Sequence, residues 1–356
     1  GLEGVEPGRD LEVVPTLTAS QAYTTDDPGI EPLQSGGSDA DAGLSVRWGV
    51  TQDTTVNLAI NPDFSQVEAD VAQLEINNQF ALFFPEKRPF FLEGADYFNT
   101  PMRAVFTRTV ADPSVGLKVT GKRGRHTYGL FAAEDEVTNL IFPGAFGSDS
   151  ESLTQGNTAV VGRYSLGFGQ SSSVGGLFTG RKGDGYHNYV GGLDTRWKIS
   201  DQHNVRLQYL QSSTEYPEDI ADEFEQPLGS FDGSAAQLNY DYDSRNWFAY
   251  LRYSDRDADF RADSGFMPRV NVETKVAGLG RVWHGDEDDW YSRIRLSGDW
   301  GITHEDEGRM LERELEAYLS INGPMQSFVL IGAMARDVLF DYLIFQENMI
   351  SFFGEL

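Results

Sequence analysis

The chain has 356 residues, enough for one large barrel or two soluble domains, and its lack of cysteine removes thiolate catalysis, disulfides and cysteine-ligated metals. With 55 acidic against 28 basic residues the formal charge is −27, a field that repels phosphates, argues against nucleic acid as a partner and attracts divalent or cationic ones. No apolar run reaches the length of a membrane helix, and a mean hydropathy of −0.39 suits strands that turn only every second residue toward lipid.

In chain order, Leu11–Tyr23 alternates first, with Leu11, Val13, Leu17 and Tyr23 on one face. Ala42–Val50 and Thr55–Ile60 follow, joined by the turn Thr51–Thr54. Leu44, Val46, Trp48 and Val50 oppose Ser45, Arg47 and Gly49, the period of a sheet with one apolar and one polar side. A long irregular block, Asn61–Arg103, then interrupts the pattern. Strands are expected again at Ala104–Val110, Ser114–Lys122, His126–Ala133, Thr158–Gly167, Ser173–Arg181, Asn188–Ile199 and Asn204–Ser213. The series continues with Ser234–Tyr242, Asn246–Ser254, Asn271–Trp283, Trp290–Trp300, Leu311–Ile321 and Ser327–Ala335, with more in Val338–Phe353.

The faces of these strands are sharply divided. Tyr189, Leu193, Trp197 and Ile199 oppose Asp194, Arg196 and Lys198. Leu311, Leu315, Ala317, Leu319 and Ile321 oppose Glu312, Glu314 and Glu316, and three carboxylates in a row need water or cations, not a dry core. A soluble sandwich can alternate too, but an open sheet this long exposes its edges, and closure removes them. The expected fold is therefore all-β, a transmembrane antiparallel β-barrel of roughly 16–18 strands. It would occupy residues 1–356 as one domain, with the sequence read as incomplete at both ends because Gly1–Gly4 is no signal peptide and Ser351–Leu356 does not finish a clean amphipathic strand. The polar residues expected to face the lumen are Arg206 and Gln208, then Gln237, Asn239 and Asp241, then Glu312, Glu314 and Glu316.

Connections alternate between short, as at Lys122–Arg125, Phe168–Ser172, Asp201–His203 and Asp243–Arg245, and long, as at Glu134–Asn157, Gly183–His187, Thr214–Gly233 and Asp255–Val270. Long loops belong at the outer end of a barrel. Counted from both directions, the parity fails unless Asn61–Arg103 changes ends or hides an odd strand near Phe80–Phe84. Residues 61–103 are therefore expected to be a plug-like insert.

Two stretches carry the identity of that insert. One holds Asn61, Pro62, Asp63, Phe64, Glu68 and Asp70; the other holds Phe84, Pro85, Glu86, Lys87, Arg88, Pro89, Phe90, Phe91, Glu93 and Gly94. Prolines 85 and 89 bar a regular helix or central strand across Glu86–Arg88. Dense phenylalanines with fixed charges of both signs suit a compact lumenal element packed on polar walls. The simplest role for Glu86, Lys87, Arg88 and Glu93 is to pair with wall charges; a substrate or ion site is the sharper alternative.

The stretches "NPDFSQVEAD" and "FFPEKRPFFLEG", followed by Phe106-Thr107-Arg108, resemble an uncharacterised bacterial outer-membrane β-barrel family that often follows a carbohydrate-binding module of the family-nine type. The resemblance implies a barrel in the outer membrane of a Gram-negative bacterium. It carries no catalytic residue across, since the family has no established reaction.

The remaining signals are weaker. Asp255, Asp257 and Asp259 begin like a calcium loop, but Phe260 and Phe266 stand where the sixth-position glycine and twelfth-position glutamate belong, so no metal site is assigned. Weak Ca2+ or Mg2+ binding at acidic loops, bridging to lipopolysaccharide, is the alternative to plain solvated charge. Five scattered histidines form no metalloprotease pattern, and no nucleophile elbow is present, so no catalytic residue and no cofactor is assigned. The expected function is a porin-like channel, a translocator or a membrane anchor with a plug. One alternative is a surface-associated carbohydrate-processing hydrolase using Glu68, Asp70, Glu86 and Glu93. The other is a structural subunit of an envelope complex. Its partners would be outer-membrane lipid and lipopolysaccharide, with glycans or other envelope proteins at the loops.

Overall fold

The computed structural model describes residues 10–24, 34–62, 79–340 and 342–355. Its strands are β1 (Leu11–Thr24), β2 (Gln34–Thr51), β3 (Thr54–Ile60), β4 (Pro113–Arg123), β5 (His126–Asp135), β6 (Thr138–Pro143), β7 (Ser148–Leu153), β8 (Asn157–Phe168) and β9 (Ser172–Gly183). They continue with β10 (Tyr186–Lys198), β11 (His203–Glu215), β12 (Phe231–Asp243), β13 (Trp247–Arg256), β14 (Val272–His284), β15 (Arg293–His304), β16 (Met310–Asn322), β17 (Phe328–Phe340) and β18 (Leu343–Glu355). Sixteen of them make one antiparallel meander in which each strand pairs with the next; β6 and β7 form a separate hairpin. Among the described residues, β1 and β18 are the two edges of this sheet and do not pair with each other.

The expected strand Ala104–Val110 does not form. Its backbone is committed elsewhere: the Phe106 amide donates to the Ser264 carbonyl, and Thr107–Thr109 closes a tight turn. The Thr107 and Val110 carbonyls, which a ladder would need, accept from Arg88 instead. This removes the parity conflict. Ile60 pairs directly with Val115, so the insert leaves and rejoins the sheet at the same end and does not change ends. No strand forms near Phe80–Phe84 either. The insert therefore runs on to residue 112.

Other differences have local causes. β2 begins at Gln34 although Gln34–Asp41 has no apolar alternation, because the backbone ladder with β1 needs no side-chain pattern. The loop expected at Glu134–Asn157 folds back on itself as β6 and β7. Gly183–His187, read as a longer loop, is a tight turn through Gly185, whose φ of 61° suits glycine. Trp290 lies in the turn before β15, and β17 runs past Ala335 to Phe340.

The sheet is curled. The tip of the β6–β7 hairpin bridges Gly144 to Arg269, and Ala145 packs with Val272 of β14 and Leu311 of β16. Along the sheet, β5 and β14 are separated by seven steps (β5, β8, β9, β10, β11, β12, β13, β14), or about 34 Å at the usual strand spacing. A strand of six residues spans only about 20 Å. The chord is shorter than the arc, so the sheet wraps around what lies between.

The two faces follow the alternation. On the convex side, register places Leu193 opposite Tyr209, Leu207 opposite Leu238, and Trp300 opposite both Ala277 and Leu315. These side chains stay open to the surroundings: Leu193 is 68% exposed, Leu279 56% and Leu315 57%. On the concave side lie Gln208 opposite Gln237, Arg206 opposite Asn239, and Glu316 opposite Asp299.

Gly265, in the segment between β13 and β14, touches the insert backbone. A Cβ there would lie 2.5 Å from the Arg103 carbonyl oxygen and 2.8 Å from Ala104 Cα. Gly265→Val is predicted to cost about 1–3 kcal/mol of stability through overpacking against backbone. Gly162→Ala, which meets nothing within 4 Å, is predicted to change stability by less than about 0.5 kcal/mol. Thermal melting of both variants in detergent micelles checks the pair.

Candidate functional site

An ion pair joins the two arms of the insert. Pro85 and Pro89 keep the backbone between them out of any ladder, so Glu86 and Arg88 can turn toward each other. Arg88 donates to both oxygens of Glu86, from Nε at 2.9 Å and from a terminal nitrogen at 2.8 Å. The same guanidinium donates to the Val110 carbonyl at 2.7 Å and the Thr107 carbonyl at 2.9 Å, and it lies 4.0 Å from the Phe91 ring centroid. Glu86 also accepts from the Thr107 hydroxyl at 2.7 Å and from the Lys87 and Arg88 amides at 3.0 Å. Burial pushes the Glu86 carboxyl up, but the Arg88 guanidinium and the Thr107 hydroxyl outweigh it and hold the group below its ordinary value. One pair thus staples both arms of the insert together.

Phenylalanines fix the insert to the wall. Pro89 opens α1 (Pro89–Leu92), which suits a residue with no amide proton and a preset φ. Gly94 then takes a left-handed turn into the single turn Ala95–Phe98. Phe91, 1% exposed, meets Phe131 of β5 at 5.7 Å, and Phe90 meets the same ring at 6.4 Å. Phe91, Phe98, Met102 and Ala104 join Val161, Leu177, Val190, Leu210 and Ala235, from β8 to β12, in a continuous core. Burying one such ring contributes about 1.5–3 kcal/mol.

Wall polar groups complete the dock. Lys118 of β4 donates to the Phe90 carbonyl and, at 2.5 Å, to the Glu93 carbonyl. Gln208 of β11 accepts from the Met102 amide at 2.6 Å. Arg47 of β2 pairs with Glu93 at 2.6 Å and with Asp10 at 2.5 Å, a partly exposed set that solvent screens. Pro62 and Asn61 sit at the root of the insert, where the Asn61 side chain donates to the Ala42 carbonyl. Asp63, Phe64, Glu68 and Asp70 lie outside the described residues.

Away from the insert, the concave face carries charges of both signs. Arg163 and Asp194 pair at 2.7 Å across the small residue Gly175. Asp241 takes Arg206 at 3.3 Å and also Arg252. Arg336 holds Glu312 at 2.5 Å and Glu314 at 3.4 Å. Register puts Gln237, Asn239, Glu312, Glu314 and Glu316 on this face with them.

At the long-loop end a second polar knot is buried. Asp263 accepts from the Tyr186 hydroxyl at 2.8 Å and the Tyr216 hydroxyl at 3.1 Å, while Arg181 donates to its carbonyl. Burial raises the Asp263 carboxyl and pushes the Tyr216 hydroxyl well above its ordinary 10.0. The Asp257 carboxylate, named above as a weak cation candidate, accepts from the Ser234 amide and hydroxyl through one oxygen. Asp259 is exposed, Asp255 faces Tyr253, and no group of three or more potential metal ligands exists among the described residues.

Sequence reasoning missed Arg47, Lys118, Arg163 and Asp263 as site residues. Lys118 was legible as a lone cation inside an apolar alternation. Asp263 stands in an irregular loop and gave no signal.

The fold and site define a class: a curled antiparallel meander whose concave side holds a docked, phenylalanine-rich insert. Residues 20–119, which span that insert, match a family described only as a domain of unknown function (DUF5916). No curated protein matches. Among solved structures, OccAB2 of Acinetobacter baumannii is similar at 10% identity with a TM-score of 0.41, covering 97% of this chain and 88% of that one. OccK5 (OpdH) of Pseudomonas aeruginosa is similar at 11% identity and 0.40, covering 97% and 95%. A bacterial polysaccharide outer membrane secretin is similar at 9% identity and 0.35, covering 96% of each chain.

Removing one partner of a buried pair leaves an uncompensated charge, at about 3–5 kcal/mol. Glu86→Gln is therefore predicted to lower the melting temperature clearly at pH 7. Because the folded Glu86 value is depressed, its contribution is present above the ordinary 4.5 and fades as pH falls through the folded value. The gap between wild type and Glu86→Gln should close as pH drops below 4.5, which a melting series in acid-stable detergent reads directly.

Proposed function

We propose that the chain is a β-barrel channel of a bacterial outer membrane, with the concave face as its pore and residues 79–112 as a constriction docked from the long-loop end. The observation that carries this is the contrast between faces. Exposed Leu193, Leu279, Leu296 and Leu315 make a convex surface too apolar for water, and large exposed patches of this kind mark contact with lipid or protein. Trp197, Trp247, Trp283 and Trp290 gather near the short-turn end, as interfacial aromatics do, and Arg281 lies about 5 Å from two of those rings. The opposite face holds Asp241, Arg252, Glu314 and Arg336, groups that need water.

In this reading the lipid-facing partners are outer-membrane lipid and lipopolysaccharide. Glu86 serves the dock: among the described residues, its hydrogen-bond partners Arg88, Lys87 and Thr107 belong to the insert itself.

Planar-bilayer recording tests the proposal. The intact chain is expected to give small, steady conductance steps. Replacing residues 80–110 with a short glycine–serine link is expected to raise conductance several-fold, since a wider lumen carries more current. Folded protein that gives no steps in either form would rule out the channel.

A further inference from the structure

On the concave side, between insert and wall, lies a cavity of about 530 Å³. Three guanidinium-bearing residues line it: Arg103 from the insert, Arg256 from β13 and Arg269 from the segment before β14. Gln237 of β12 and Thr100 of the insert add polar lining. In a chain with a net charge of −27, such a concentration of cations runs against the average field.

Their partners sharpen the point. Among the described residues, the Arg256 guanidinium makes no hydrogen bond and no ion pair, and its Nε is fully buried without a partner. Arg269 donates to the Ala145 carbonyl at 3.0 Å and rests 5.5 Å from the Phe80 ring centroid, but among the described residues no carboxylate pairs with it. Glu312 is near enough for its charge to act on Arg269, yet its close bond is to Arg336 at 2.7 Å. Arg103 lies against the Phe83 ring at 4.1 Å. The Arg256 and Arg269 charges repel one another. A buried donor without an acceptor is costly, and like charges held together raise that cost. Both are relieved by an anion in the cavity.

We propose that this cavity binds a small carboxylate, taken by the guanidinium fork of Arg256 with Arg269 and Arg103 completing the charge. The planar fork matches the two oxygens of a carboxylate, and Gln237 can offer its amide to a second polar group. A volume near 530 Å³ is in the range of small-ligand sites. The site deepens the channel reading, since it supplies an anion-selective stop along a pore whose other walls carry paired charges.

Isothermal titration of the purified chain in neutral detergent micelles, at low ionic strength with succinate as probe, tests this without any current. Saturable binding is expected in wild type, weakened roughly tenfold or more by Arg256→Gln and less by Arg256→Lys, which keeps charge but loses the fork. Thermal melting checks that each variant is folded. Arg269→Gln and Arg103→Gln, the latter at an exposed position, are expected to weaken binding several-fold, and they decide the matter should Arg256→Gln misfold. Inorganic phosphate is expected to bind more weakly than succinate, because its oxygens are tetrahedral. Absence of saturable succinate binding in wild type, or equal affinity in the folded arginine variants, overturns the proposal. Binding with a silent bilayer would remove the channel and leave the site; conductance without binding would remove the site alone.

Discussion

A guanidinium taken out of water must have its donors met, and that requirement organises the insert. Arg88 meets it with one carboxylate and two carbonyls drawn from two separate stretches of chain. The carboxylate must then stand at Glu86, and residues 107–110 must turn instead of extending. That turn removes a strand from the meander and lets β3 pair with β4. The prolines on either side keep the local backbone out of competing ladders. Sheet connectivity at this point thus follows from satisfying one buried cation.

The packing consequence is a filled trough. Small and medium apolar side chains of β8 to β12 point at Phe91, Phe98 and Met102, so this part of the concave face is dry. The rest carries paired charges, with Arg163 on Asp194 and Arg336 on Glu312 and Glu314. Dry and wet parts meet at the cavity between Gln237 and Arg256. In the proposed channel, a solute would pass from walls of paired charges to an arginine-lined narrowing beside the insert. The insert of such a channel would therefore contribute to selectivity as well as narrowing the lumen.

Much of the fold was legible because strand period is a local property. Leu311 to Ile321 against Glu312 to Glu316 announces two faces whatever the neighbours are. The insert was legible as an interruption, and Glu86, Arg88, Phe90 and Phe91 stood out by density. What escaped was non-local. Val105 and Phe106 alternate like a strand, and only the reach of Arg88 from earlier in the chain takes them out of the sheet. The polar stretch Gln34–Asp41 has no pattern to read, yet backbone pairing with β1 is enough to extend it. Arg256 and Arg269 lie in different elements, and no spacing rule joins a strand end to a loop thirteen residues later. Asp263 is held by Tyr186 at the start of β10 and Tyr216 just after β11, which sequence order conceals.

The central claim is that residues 86–110 are a docked, hydrogen-bonded part of the wall. Hydrogen–deuterium exchange in detergent micelles tests it most directly. The amides of Phe91, Glu93, Met102, Phe106 and Val110 all have acceptors. Docking predicts that they exchange as slowly as strand amides of β9 and β10 under the same conditions. Exchange at the rate of a free peptide across these residues would contradict the account.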